Sequence, residues 1–444
     1  MAFSRNLARL VDDCKEASKL VDLNDTFPRL LLWAAYMDSM RLRPSRSGRS
    51  RMYHSAPRKV RTPSPTPPPI PGPYIPPHRM PRLTLARGGR ITKRWHASTF
   101  AGGYTRPVGL SNPGNLCYRN ALLQCLLHTP VFYNCLGRIH FKCSKQADQC
   151  VTCALQALAH DYWLHRNPQD PQPNFPTNTA RILHQAVVNT CPLDDDFALN
   201  ADGSEQADPI EFLTFLRKRL IEAEDPHTNR VDSVLQMQIE QTGTCTEQNC
   251  GFQNPPETIE TYLTSVAMAD NRAVYNELSL LGCVKATFKE DVQARCEGCA
   301  AKKLKPETQD STRALERRIV KAPVLLAVQL QRVAFDVTDP LNVVQRKLSN
   351  NVPFDEDLDL SEFTKDGSSL KYRLHGVIGH RGDTVDQGHY IAAVRDHDGA
   401  GFSIVNDHLV RRNYAGSFRE MREPRTSPSG TRCPPYIFIY QQVE

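Results

Sequence analysis

The chain lacks any apolar run long enough to cross a membrane, and its first 40 residues do not have the layout of a secretory signal peptide. Without a secretory context, its fourteen cysteines are expected as reduced thiols and metal ligands rather than disulfides. Acidic residues are missing altogether from residues 41 to 98, a stretch rich in Pro, Ser and Arg that carries 14 Lys or Arg. Such a composition cannot bury a core, so residues 41 to 105 read as a disordered basic linker, with polyproline II character from Pro63 to Pro77. Ahead of it, residues 1 to 40 hold short helical stretches such as LARLVDDCKEASKLVDL.

Setting that tail aside changes the charge balance. The net charge of +7 becomes 41 basic against 48 acidic residues, an acidic body behind a basic tail. A nucleic-acid enzyme would have a basic body, and no folded nucleic-acid motif accompanies the tail. Any nucleic-acid contact therefore falls to the tail alone.

What the sequence does contain begins with GLSNPGNLCYRNALLQCLL, Gly109 to Leu127, which places Cys117 where a turn meets an apolar helix. A helix N-terminus offers unpaired N–H groups and a positive dipole end, and both favour the reactive thiolate. Asn112, Gly114 and Asn115 supply turn conformations and an amide donor, while Ala121, Leu122, Gln124, Cys125 and Leu126 give the helix a buried face. Cys125 thus reads as core packing.

A nucleophilic thiol needs a base with its own orienting partner. In residues 371 to 412, alternating apolar residues mark strands at Tyr372 to Ile378, Tyr390 to Val394 and Phe402 to Val405. His389 starts the middle strand and Asn406 and Asp407 end the next, so a hairpin brings an Asn406 oxygen near the His389 ring. On residue type alone His375, His380, His397 and His408 compete for the same role.

With these residues in place, the chain resembles the ubiquitin-specific proteases, papain-like deubiquitinating enzymes. Gly109 to Leu126 follows their cysteine box, G-L-x-N-x-G-N-x-C-Y-x-N-a-x-L-Q-x-L. Gly388-His389-Tyr390 with Asn406-Asp407 matches their histidine box, and Gln206-Ala207-Asp208-Pro209-Ile210-Glu211-Phe212-Leu213 matches Q-x-D-a-x-E-F-L between them. The resemblance implies Cys117 as nucleophile, His389 as general base, Asn406 as the residue orienting it, Asn112 as oxyanion-hole amide and Asp407 as an acidic neighbour. It also implies that Gln206, Asp208 and Tyr390 bind substrate. Asp208 has a reading of its own as the cap of a helix, with Pro209 at the first position and Glu211 at the third.

Two sets of metal ligands stand out. Cys245 and Cys250 form one pair and Cys296 and Cys299 another, and two such pairs at hairpin tips can close a tetrahedral zinc. The family carries a zinc ribbon in its fingers here. His140, Cys143, Cys150 and Cys153 form the second set, with the last pair just before a helix expected from Ala154 to His165. Either zinc would be structural, because four protein ligands leave no open position.

The implied fold class is α+β, with a helical thumb over residues 106 to 232, zinc-bearing β fingers over 233 to 320 and a β-sheet palm over 321 to 444. The β-prone runs VLLAVQLQRVAF and YIFIYQQV fit that palm. The implied activity is hydrolysis of the isopeptide bond after ubiquitin's terminal glycine, with no catalytic cofactor. Alternatives are a peptidase for another ubiquitin-like modifier, or a zinc-bearing ubiquitin-binding scaffold with little catalysis. The implied partners are ubiquitin and ubiquitinated proteins, with room for a regulatory protein that aligns the site. No membrane partner is expected, and the setting is intracellular, cytoplasmic or nuclear.

Overall fold

The computed structural model describes residues 82–85, 91–96, 99, 106–164, 177–267, 279–306, 309–336, 344–348, 350, 352–382, 384, 387–413 and 433–443. The helices expected in residues 1 to 40 and most of the linker lie outside them. No helix among the described residues is long and apolar enough to cross a membrane.

The thumb comprises helices α1 (Cys117–Leu127), α2 (Pro130–Leu136), α3 (Val151–Leu164), α4 (Thr177–Thr190), α5 (Pro209–Ala223) and α6 (Arg230–Leu235). Helix starts follow local chemistry: Pro130 takes the first turn of α2 after extended Thr129, and Asp208 caps α5, its Oδ1 accepting from Ile210 N at 2.7 Å. Every residue of α1 is buried, because the helix is wedged between the other thumb helices and a sheet. Tyr118, Leu122, Trp163, Phe212 and Phe215 fill the core around it. Each such side chain contributes about 2–3 kcal/mol when buried.

That sheet is the palm, in strand order β13-β12-β11-β10-β14-β6-β3. Its members are β3 (Thr264–Ala267), β6 (Leu325–Gln331), β10 (Lys371–Arg381), β11 (His389–Arg395), β12 (Phe402–Asn406), β13 (Leu409–Asn413) and β14 (Pro435–Gln442), and β9 (Asp357–Asp359) adds to β10. Period-two alternation splits β11 between two cores: Tyr390, Ala392 and Val394 join the thumb side, and Ile391 and Ala393 the far side. Gly376 of β10 permits the close seating of α1, since a Cβ there would stand 2.6 Å from the Cys125 sulfur. Cys125 is completely buried, as its reading as packing requires.

The fingers are a separate four-stranded antiparallel sheet, β2-β1-β5-β4, built from β1 (Met237–Cys245), β2 (Glu257–Thr261), β4 (Lys289–Ala294) and β5 (Ser311–Lys321). Not all of the interval 233–320 belongs to it. Strand β3, with fully buried Val266, pairs in parallel with β6 of the palm, and helix α7 (Leu280–Phe288) buries Leu280, Val284 and Phe288 in the palm's far core. Apolar segments leave the polar fingers for the nearest large core. Short helix α8 (Glu297–Ala301) sits at the fingertip, and β7 (Val333–Asp336) pairs with β8 (Val344–Lys347) beside the palm.

Part of the expected linker is folded onto this body. Leu83 and Leu85 are buried, with backbone hydrogen bonds to Gln156 O at 3.0 Å and Gly137 O at 2.7 Å. Trp95 packs edge-on against Tyr133 and Trp163, and Gln441 of β14 donates to Lys93 O at 2.8 Å. Among the described residues of this stretch, the apolar Leu83, Leu85, Ile91 and Trp95 dock on the body. Average composition hides such anchors.

Candidate active site

Cys117 occupies the first turn of α1, where its backbone N–H has no earlier helical carbonyl to serve. Asn112 builds the turn before it, its Oδ1 accepting from Gly114 N at 3.2 Å and Leu116 N at 3.0 Å. This is an Asx-type turn that sets the entry angle of the helix.

The sheet supplies the facing groups. Strand β11 begins at His389, paired with Arg381 of β10, and β12 ends at Asn406, paired with Leu409 across a two-residue turn. Asn406 Oδ1 lies 2.6 Å from His389 Nε2, and the ring is also hydrogen-bonded to Cys117. With Nε2 committed to Asn406, Nδ1 is the nitrogen left for the thiol proton. The Cys117 hydrogen bond, working against burial and aided by Asn406 and Asp407, raises the pKa of His389 to about 9. The imidazolium is therefore the favoured form at neutral pH.

Asp407 is held from both sides. Its backbone takes the left-handed conformation (φ 50°), which an Asp side chain tolerates in a tight hairpin turn. One carboxylate oxygen accepts from Asn112 Nδ2 at 3.0 Å, the other from Asn120 Nδ2 at 2.8 Å, and the first lies 3.6 Å from His389 Nε2. Asp407 thus bolts the thiol-bearing segment to the histidine-bearing sheet. Asn120 had no role assigned from sequence, although it is the Asn of the Cys-Tyr-x-Asn pattern, one helical turn after Cys117.

The middle motif divides into two jobs. Asp208 caps α5 and accepts a hydrogen bond from Tyr436 Oη, while burial pushes its carboxyl pKa up against the bonds from Tyr436 and Ile210. Nothing in the sequence around Tyr436 marks it as this partner. Gln206 grips the backbone of Gly388, Nε2 donating to its oxygen at 2.6 Å and Oε1 accepting from its N–H at 2.9 Å. Both atoms of the Gln206 amide thus serve the residue before His389. Tyr390 is mostly buried and stacks on His380 at 4.5 Å between ring centroids. Of the competing histidines, His375 is half-buried and held well below its usual pKa, at about 4, by desolvation and the charge of Arg395.

Both cysteine-rich sets converge, and in each the ligand atoms all lie within 4.8 Å of one another. In the fingertip, Cys245–Cys299 and Cys250–Cys296 sulfurs stand 3.6 Å apart and all four residues are buried. A tetrahedron of thiolates about 2.3 Å from zinc has edges close to that length, so this set fits the ion. In the thumb, His140 Nδ1 holds Ala223 O at 2.9 Å, which turns Nε2 toward Cys150 at 3.3 Å. Hydrogen bonds from Cys153 and His140 pull the Cys150 thiol down, and Arg82 donates to the Cys153 sulfur at 2.7 Å. The donor chemistry fits a structural metal here as well.

A thiol at a helix start, facing a histidine on an antiparallel sheet with an amide behind it, is the arrangement of the papain-like cysteine peptidase fold. The chain belongs to the ubiquitin carboxyl-terminal hydrolase family, whose profile matches residues 108–440. It is 27% identical over 333 residues to ubiquitin carboxyl-terminal hydrolase 8 of Saccharomyces cerevisiae, covering 68% of this chain and 66% of that protein. It is 26% identical over 345 residues to ubiquitin carboxyl-terminal hydrolase 42 of Homo sapiens, covering 74% of this chain but only 23% of that one. Among solved structures it is similar in fold to the SAGA Ubp8/Sgf11/Sus1/Sgf73 DUB module bound to ubiquitin aldehyde, with TM-score 0.58, 20% identity and coverage of 79% and 71%. A form of that module bound to monoubiquitin gives a TM-score of 0.59.

Proposed function

We propose that the chain is a thiol-dependent deubiquitinase that hydrolyses the isopeptide bond after the C-terminal glycine of ubiquitin, on proteins or within ubiquitin chains. The observation that carries this reading is the meeting of Cys117, His389 and Asn406, drawn from opposite ends of the domain into one hydrogen-bonded set.

In this reading the Cys117 thiolate adds to the glycine carbonyl. The oxyanion forms where the Cys117 N–H and the second hydrogen of Asn112 Nδ2 can meet it, the first being given to Asp407. Collapse expels the lysine amine, which takes its proton from the His389 imidazolium. Neutral His389 then draws a proton from water, which hydrolyses the thioester and restores the thiolate. Asn406 keeps the ring aligned throughout. Asp208, with lone pairs beyond those given to Ile210 and Tyr436, would receive the arginine-bearing tail of ubiquitin. Both cysteine-rich sets would hold zinc as closed structural sites, with no ligand position left for substrate.

A ubiquitin bearing a C-terminal electrophile tests the reading. It should form one covalent adduct with the full chain and none with Cys117→Ala; labelling that persists in the variant would overturn the nucleophile. Offering other ubiquitin-like modifiers with the same electrophile separates the alternative peptidase, which would label with one of them and not with ubiquitin. A zinc-bearing scaffold would label with none.

A further inference from the structure

His380 lies directly behind the residues that carry His389. It pairs with Tyr390 across β10 and β11, its ring stacks on the Tyr390 ring, and its Nε2 faces the backbone of Gly388. A Cβ on Gly388 would come within 2.1 Å of that nitrogen and 2.4 Å of Arg381 O, so only glycine fits between ring and loop. From the other side, Lys347 of β8 reaches across with Nζ 2.9 Å from His380 Nδ1, 3.3 Å from His380 O and 2.6 Å from Gly382 O. Gly382 is thereby held by Lys347 and Gly388 by Gln206.

An ammonium has hydrogens only to give, so Nδ1 of His380 must accept and the ring must be neutral, with its proton on Nε2. We propose that Lys347 is a positioning residue for the reaction: it fixes His380 as a neutral platform under Gly388 and Tyr390, so that His389 is the one histidine of the pair that carries charge. The proposal rests on the catalytic role given to His389 above.

The surroundings agree with this division. His380 is buried, and burial, Lys347 and His389 in that order hold its pKa down, at about 3. Among the described residues, the ionisable groups around it include Lys347 from β8, His389 and Tyr390 from β11, and Cys433 ahead of β14, whose sulfur packs on the neighbouring Gly379. Without the lysine, burial and His389 still oppose a proton on Nδ1, but the cation closest to that nitrogen is gone. A charged His380 would set a second cation against the imidazolium and lose its bond from Lys347.

The test compares the full chain with Lys347→Met and with Lys347→Met/His380→Gln, following kcat/KM on a ubiquitin C-terminal reporter from pH 5.5 to 9. Lys347→Met should lose about threefold at pH 8 and about tenfold more than wild type on going to pH 6, because loss of the lysine moves the His380 midpoint up toward that range. The double variant, which cannot titrate at this position, should recover the wild-type ratio between the two pH values. A Lys347→Met profile parallel to wild type, or a double variant no better than the single one, overturns the proposal. Histidine ring signals in NMR decide the same point without any hydrolysis: the His380 signal should stay neutral down to about pH 5 in wild type and titrate above it in Lys347→Met. A chain that titrates in this way but fails to label with the ubiquitin electrophile would overturn the proposed substrate and leave the pairing of Lys347 with His380 standing.

Discussion

The fingers and the thumb–palm body are held together by different forces. In the fingers, β4 reads KEDVQA and β5 reads STRALERRIVK, and most of their residues are half-buried or exposed. Cross-strand pairs such as Arg317–Glu290 at 3.2 Å are partly solvated and worth well under about 1 kcal/mol each. Among the described residues, the dry cluster at the fingertip consists of four cysteines with Phe252 against them. The body, by contrast, clamps α1 between thumb helices and a sheet buried on both faces. A region with little apolar burial would need the metal proposed for it, whereas a clamped helix holds Cys117 in place by packing alone.

The change with the largest expected effect separates chemistry from that clamp. Asn406→Ala should cut kcat/KM on a ubiquitin reporter by about 10²- to 10⁴-fold, the range found when an orienting partner of a catalytic histidine is altered. Asn406 is half-buried at a strand end, so the melting temperature should hardly move. A variant that loses activity only in proportion to lost folding would show that Asn406 serves the sheet rather than the ring.

Next in size is a change on the other side of the comparison. Cys299→Ser should lower the zinc content from two ions per chain to one, and hydrogen exchange should lose protection across β1, β2, β4 and β5. Structural zinc sites carry about 10 kcal/mol or more of binding free energy, which a polar sheet cannot replace. Amides of α1, α3 and β11 should keep their protection. If thumb and fingers lost protection together, the two regions would be one cooperative unit.

The same contrast governs what could be read from the chain. The approach of His389 to Asn406, and of both to the start of α1, was legible because the turn before the helix and the strand ends around His389 are local patterns, and pairing of β11 with β12 follows from them. The capping role of Asp208 was legible for the same reason. Partnerships set by tertiary distance were not: Tyr436 reaches Asp208, and Lys347 reaches His380, across long stretches of sequence with no periodic signal. The fingers' boundary was drawn too wide because β3 and α7 look like part of a β-rich interval, yet they bury their apolar faces in the palm. The linker was drawn too long because four apolar anchors were averaged into a Pro- and Arg-rich stretch.

Those anchors permit a milder test. Trp95→Ala should destabilise the body by about 2–3 kcal/mol, less than a fully buried tryptophan would, since Trp95 keeps part of its surface in water. Thermal unfolding checks this, and deleting residues 41 to 98 should cost at least as much because Leu83 and Leu85 go too. Deletion without loss of stability would make the docked strap incidental.

The smallest expected effect is a shift in one titration. The pKa of His389 is raised above its ordinary value, so the imidazolium's stabilising interactions are fully present below about pH 6.5 and are lost as pH rises through about 9. Reporter kcat/KM should accordingly fall above about pH 9, as the proton donor for the leaving amine disappears. The hydrogen bond with Cys117 is the largest cause of the rise, and burial opposes it. In Cys117→Ala, burial remains while that bond is gone, so the His389 midpoint followed by NMR should move down. Asp407→Asn should move it in the same direction by less, because Asp407 contributes only charge, 3.6 Å from Nε2, with Asn406 closer at 2.6 Å. A midpoint unchanged in Cys117→Ala would mean that the sheet alone sets the histidine's charge, and that the clamp between thumb and palm does not reach the proton.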